Sequence, residues 1–235
     1  MPSFARNWLL TGFVGGLLVV FSQQTRADVI TISLANPNPA ISGFAAPYGT
    51  VTVNRTSSTT ADITLTSNTV GGFTYLFGDG GTIGLNVNAT NFSWTNISGS
   101  NSSGTGFSPW SLVSVKSGQE DGFGTFNFQV NSFDGFDHAI DKLTLTLTDT
   151  SGMWSSASNV LTPNSGGSTV AAHVYITASP ANQTNGAIVT GYAGNGTNSS
   201  VVPEPSSLAL GLFGVVALSL TQIRRWIRRK ALALA

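Results

Sequence analysis

Six carboxylates, Glu120, Asp121, Asp134, Asp137, Asp141 and Asp149, fall within thirty residues, the densest group of hard oxygen donors in the chain. Such donors suit calcium, which takes six to eight oxygen ligands. The stretch NSFDGFDHAID presents Asp134, Asp137 and Asp141 with intervening carbonyls, but it lacks the alternating ligands and terminal glutamate of an EF-hand loop. The competing reading is a solvated turn in which Asp134 and Gly135 adopt positive backbone angles. If residues 124–130 and 143–148 pair antiparallel, Asp134, Asp137 and Asp141 collect at one end of the pair. Glu120, Asp121 and Asp149 then sit at the other. No other cofactor is suggested.

For proton transfer the inventory is short. Between Asp28 and Val202 there is one glutamate, and the histidines are His138 and His173. In AAHVYITA a strand puts Ala172, Val174 and Ile176 on one face and His173 with Tyr175 on the other. The more apolar set is expected to face the core, leaving His173 at the surface or rim. The chain has no cysteine, which excludes disulfides, thiolate metal sites and thiol nucleophiles. No Gly-X-Ser-X-Gly elbow appears either. The chain reads as a non-enzyme, with a secreted hydrolase as the weakest of three readings and no catalytic residue assigned.

Aromatic side chains offer a different chemistry. Trp94, Trp110, Trp154 and Tyr192 could stack on sugar rings, with Asn and Asp side chains taking hydroxyls. Their other role is core or rim packing, because each removes a large apolar area from water.

The elements that must hold these residues have period two. In KLTLTLTDT, Leu143, Leu145 and Leu147 alternate with threonines, the pattern of a strand with one buried face. Similar runs occur in DVITISL, GTVTVN, ADITLTS, FTYLF, TIGLNV, SLVSV, GTFNFQV and AIVTGY, separated by turn residues. With no intervening helix, they predict an all-β domain over residues 28–192, an antiparallel β-sandwich or jelly roll. FTYLFGDGGTIGLNV reads as a hairpin turning at Asp79, Gly80 and Gly81. The polar stretch after Ile97 reads as a surface loop, and residues 193–207 as a flexible spacer.

Both ends are apolar. Arg6, the run from Trp8 to Phe21, and Thr25-Arg26-Ala27 read as a signal peptide over residues 1–27, cut between Ala27 and Asp28. Its short, glycine-interrupted core argues against a retained anchor. Residues 208–223 carry no charge and would span about 24 Å as a transmembrane helix. The basic tail, residues 224–235, should stay cytoplasmic and leave the β-domain outside. From Asp28 to Val202 three bases oppose nine acids, a net charge of −6, which argues against nucleic acid as a partner.

Pro203 and Pro205 keep VVPEPSS extended ahead of that helix. Pro203-Glu204-Pro205, the apolar helix, and Arg224, Arg225, Arg228 and Arg229 together resemble the PEP-CTERM sorting signal of Gram-negative bacteria. The resemblance covers about residues 202–230; the tail ALALA after Lys230 departs from it. It implies that an exosortase-type processing enzyme reads Pro203, Glu204 and Pro205 while the arginines retain the chain in the inner membrane. The product would be a cell-surface or extracellular protein in cells that make exopolysaccharide. That points to an envelope or biofilm-matrix component, or alternatively to a lectin-like module that binds exopolysaccharide. In a bacterial context the eight Asn-X-Ser/Thr sequons read as chance matches in an Asn-, Ser- and Thr-rich chain.

Overall fold

The computed structural model describes residues 28–108, 113–115, 117–132, 135–195 and 199–200. The proposed signal peptide, the Pro-Glu-Pro motif, residues 208–223 with their arginines, Trp110 and Asp134 lie outside the described residues. No helix among the described residues is long and apolar enough to cross a membrane.

The strands in the first half are β1 (Asp28–Leu34), β2 (Asn36–Pro37), β3 (Gly49–Arg55), β4 (Thr60–Ser67), β5 (Thr69–Val70), β6 (Phe73–Phe77), β7 (Asp79–Leu85), β8 (Phe92–Ser100) and β9 (Gly104–Thr105). The second half adds β10 (Val113–Val115), β11 (Gly118–Glu120), β12 (Gly124–Phe126), β13 (Phe128–Ser132), β14 (Lys142–Asp149), β15 (Val170–Ala178), β16 (Ala181–Asn182), β17 (Val189–Gly194) and β18 (Ser199–Ser200). One sheet has the order β18-β1-β3-β4-β14-β8 and the second β10-β13-β7-β15-β17-β2, with β5 and β6 attached to β15. Every pairing between described strands is antiparallel except the short β9·β16 pair. The described domain is therefore all-β.

One core lies between the two sheets. From the first come Ile30, Ile32, Val51, Val53, Ile63, Leu65, Leu143, Leu145 and Leu147, and from the second Ile83, Leu85, Phe128, Val130, Val174 and Ile176. In β14 the leucines are buried and the threonines half-exposed, as the period of two predicts. Register lines the outward hydroxyls into a row, Thr31, Thr52, Thr64, Thr144 and Ser98, across five strands. β-branched threonine suits this half-exposed pleated surface.

Five sequence expectations are corrected. The segment FTYLFGDGGTIGLNV is not a hairpin: β6 and β7 both pair with β15, so they follow one another along the same edge. Phe77 faces Val174 and Gly84 faces Ala171, so residues 78–83 leave the β15 ladder as a bulge opposite Ala172 and His173. Asp79 (φ 61°) and Gly81 (φ 75°) do supply positive angles, but they shape this bulge rather than a reversal.

Secondly, the expected loop after Ile97 starts later than read: β8 continues through Ser100 in its pairing with β14, and beyond it only Gly104–Thr105 is strand before residue 108. Two β8 residues, Asn96 and Ile97, stand against Leu145 alone, and Asn96 has φ 55°. That bulge resets the alternation, so Phe92, Trp94 and Ile97 all lean on the core. Thirdly, β13 and β14 belong to different sheets, so the proposed pair that would have sorted the carboxylates does not form.

Fourthly, His173 is buried, at 7% exposure. All but the last residue of β15 are buried, because its outer face is covered as well as its inner one. Part of the expected spacer is also built in: β17 runs to Gly194, β18 (Ser199–Ser200) pairs with β1, and Asn195, just past β17, accepts through Oδ1 from the Thr169 and Val170 amides.

Candidate functional site

The cover over the second sheet is the β11–β12 hairpin, whose turn uses Gly122 at φ 85° and leads into Gly124 at φ 86°. Its side chains sit where the sheet has no Cβ. A Cβ on Gly84 would stand 2.9 Å from the Phe126 ring, and one on Gly194 2.5 Å from Phe123. A Cβ on Gly81 would overlap the Glu120 carboxyl. Gly84 and Gly194 permit close layer packing; Gly81 does so as well and also supplies a positive φ.

Glu120 is fully buried in this layer. Its Oε1 accepts a 2.6 Å bond from Gln129 Nε2, while Oε2 is buried with no partner. Burial pushes its pKa up to about 9, against a smaller opposing effect of the Gln129 bond. The side chain is therefore a neutral acid at pH 7. Sequence reasoning grouped Glu120 with candidate oxygen donors and missed its burial; the one available signal was a lone glutamate between short glycine-flanked strands.

Beside it runs a row of rings. Phe107 meets Phe136 at 5.3 Å, Phe136 meets Tyr175 at 5.4 Å, and His173 lies 4.9 Å from both Tyr175 and Tyr192. His173 Nδ1 donates to the Gly78 carbonyl at 3.0 Å, which fixes the proton on that nitrogen because a carbonyl only accepts. Burial lowers the His173 pKa, partly offset by the Gly78 bond and the Asp79 charge. Tyr175 donates to Asp79 Oδ2 at 3.3 Å and Tyr192 to the Gly80 carbonyl at 3.2 Å. No nucleophile is aligned with His173 in this set.

The carboxylates proposed from sequence are mostly spent on the chain itself. Asp141 Oδ2 accepts from Ser102 N, Ser102 Oγ and Ser103 N, each at 2.8 Å. Asp149 Oδ1 accepts from Ser151 N at 2.9 Å, Ser151 Oγ at 3.1 Å and Gly152 N at 2.8 Å. Asp121 takes a 3.0 Å bond from Asn38, and Asp137 lies 3.7 Å from His138 Nε2. Asp28, at the proposed signal cleavage point, accepts from the Ala157 amide at 2.5 Å and lies 3.8 Å from Arg55 Nε. Among the described residues no three His, Asp or Glu side chains gather as metal ligands.

The aromatics divide in the same way. Trp154 is buried at 2%, its Nε1 donating to the Asn88 carbonyl at 2.8 Å, so it offers no open ring face. Trp94 is half-buried, 4.9 Å from Phe128, and Tyr192 is half-buried against His173.

A cleft of about 550 Å³ opens beside Trp154, lined by residues that include Asn86, Asn88, Asn127, Asp149, Met153 and Asn159. Its walls are tied by amides: Asn86 Nδ2 donates to the Thr162 carbonyl at 3.0 Å and Asn88 Nδ2 to the Asn159 carbonyl at 2.9 Å. Asn127 both accepts from and donates to the Val87 backbone. Met153, 76% exposed, supplies an apolar patch, and no Lys or Arg lines the cleft. Such a surface fits an uncharged, hydroxyl-rich ligand better than an anion. Compared with known proteins, the chain matches no family model, no curated protein and no solved structure.

Proposed function

We propose that the chain is an exported, non-enzymatic component of the cell envelope or extracellular matrix, with a β-sandwich as its working domain. In this reading residues 1–27 direct export and are removed before Asp28. Residues 208–223 hold the chain in the inner membrane, with the arginine tail on the cytoplasmic side. An exosortase-type enzyme reads Pro203, Glu204 and Pro205, and the domain ends on the cell surface or outside.

The observation that carries the non-enzymatic part is the use of the carboxylates: Asp28, Asp141 and Asp149 stabilise backbone amides, and Glu120 is sealed under a hairpin. General acid–base work needs such groups within reach of a substrate. The sorting part rests on the ordered C-terminal signal. Fractionation of cells with and without an exosortase tests it. The reading expects accumulation in the inner membrane when the enzyme is absent and depletion from it when present. An identical distribution in both strains removes the sorting step.

A second reading, a lectin-like module for exopolysaccharide, is favoured by the amide-lined cleft beside Met153. Its ligand would be a neutral glycan, since the cleft has no cation and the domain is acidic. Titration with neutral and uronic oligosaccharides of equal length tests this. Saturable binding of the neutral set, lost in Asn88→Ala, supports it, and no binding of either set rejects it.

A further inference from the structure

We propose that the β11–β12 hairpin is a proton-held flap, clasped to the outer face of the second sheet by the neutral carboxyl of Glu120 and released as that carboxyl gives up its proton to solvent. The geometry is that of a detachable layer. The hairpin pairs only with itself, and it meets the sheet beneath through side chains seated on Gly81, Gly84 and Gly194 rather than through a ladder. At its tip the ties are few: Asn38 Nδ2 to Asp121 at 3.0 Å, and Asn164 Nδ2 to the Phe123 and Thr125 carbonyls at 2.9 and 3.1 Å. Next to the turn, where it pairs with Gly124, Glu120 lies wholly inside, with one oxygen on Gln129 and the other on nothing.

A carboxylate in that position would be shielded from solvent and, among the described residues, would face no cation. Among the described residues, the titratable groups on the elements packed there are Asp79 at the start of β7, His173 and Tyr175 on β15, Tyr192 on β17, and Asp121 in the hairpin itself. None is a permanent cation. The charges of Glu120, Asp79 and Asp121 all act on Tyr192, placing the three acids in one field. Burial holds His173 neutral at and above pH 7, and holds both tyrosines neutral well beyond it. Ionisation therefore has no compensating partner among the described residues in the closed state, whereas an open hairpin lets water solvate the charge. Opening separates Phe123 and Phe126 of the flap from Ala171 and Tyr192 of the sheet, which together form the small apolar cluster between the two.

Hydrogen exchange on the full chain, corrected for intrinsic rates, tests this between pH 5 and 9. An opening that releases one proton becomes about tenfold more populated per pH unit while the closed state stays protonated. The expected result is hairpin protection over residues 118–126 that is lower than that of β14 at every pH, falls about tenfold per unit, and becomes flat in Glu120→Gln. Protection equal to that of β14, or a slope that persists in Glu120→Gln, overturns the flap. If that variant fails to fold, carbon NMR of the wild-type carboxyls decides, because the chain has only two glutamates, Glu120 and Glu204. A Glu120 signal titrating in the ordinary glutamate range overturns the proposal; one titrating well above it, with the hairpin amides following, upholds it.

Discussion

Gln129 Nε2 donates to Glu120 Oε1 across 2.6 Å, and the other oxygen of that carboxyl is buried without a partner. Burial of this carboxyl, opposed by the Gln129 bond, sets the decline of stability toward alkaline pH. Glu120 keeps its proton up to about pH 9 when folded and releases it near its ordinary value of 4.5 when unfolded. Its contribution to stability is complete below 4.5 and is lost as pH rises toward 9, about a tenfold change in the unfolding constant per unit. His173 acts in the opposite sense: its folded pKa lies below 6.5, so stability declines as pH falls through that lower range. Denaturant unfolding across pH should show Glu120→Gln losing the decline from pH 5 to 9 while keeping the acid limb.

Asp141→Ala removes the acceptor for Ser102 N, Ser102 Oγ and Ser103 N. The expected loss is about 2 kcal/mol in denaturant unfolding, with Asp141→Asn losing less. Because this carboxylate is committed to the backbone, millimolar calcium should leave Tm unchanged, which a thermal scan with and without chelator checks.

Trp154 combines a packing role with one polar bond, Nε1 to the Asn88 carbonyl. Trp154→Ala should cost about 3–5 kcal/mol, and Trp154→Phe about 1 kcal/mol. Glycan titration separates this from ligand stacking: Trp154→Phe should leave any binding in the cleft unchanged.

Gly81 and Gly167 share a positive φ, 75° and 82°, but differ in surroundings. A Cβ at Gly167 meets nothing within 4 Å, whereas one at Gly81 overlaps Glu120. Gly167→Ala should cost about 1 kcal/mol from backbone strain alone, and Gly81→Ala at least about 2 kcal/mol, with enhanced exchange in the hairpin. Equal costs would show that the layer over Gly81 yields easily.

Alternation made the first sheet legible: Leu143, Leu145 and Leu147 announce one buried face, and β1, β3 and β4 repeat the pattern. β15 defeated the same logic because a third layer, from residues far along the chain, covers His173 and Tyr175. Period two cannot tell a rim from a covered face. Asp79, Gly80 and Gly81 signalled unusual backbone angles correctly, but whether such angles reverse a chain or bulge it depends on the partner strand, here β15. In β8 the Gly and Ser density after Ile97 hid the last three strand residues, Ser98, Gly99 and Ser100, which pair with β14 beyond the bulge at Asn96. The isolation of Glu120 follows from Gly81 and Gly84 lying under it, a long-range fact with no local pattern.

The most direct test of the account is the intact mass of the protein recovered from the native envelope and medium, compared with a Pro203→Ala, Pro205→Ala variant. The account predicts a wild-type species that starts at Asp28 and ends within residues 203–207, while the variant keeps residues 208–235. Wild-type and variant chains that both retain residues 208–235 would contradict sorting and leave a membrane-anchored β-domain.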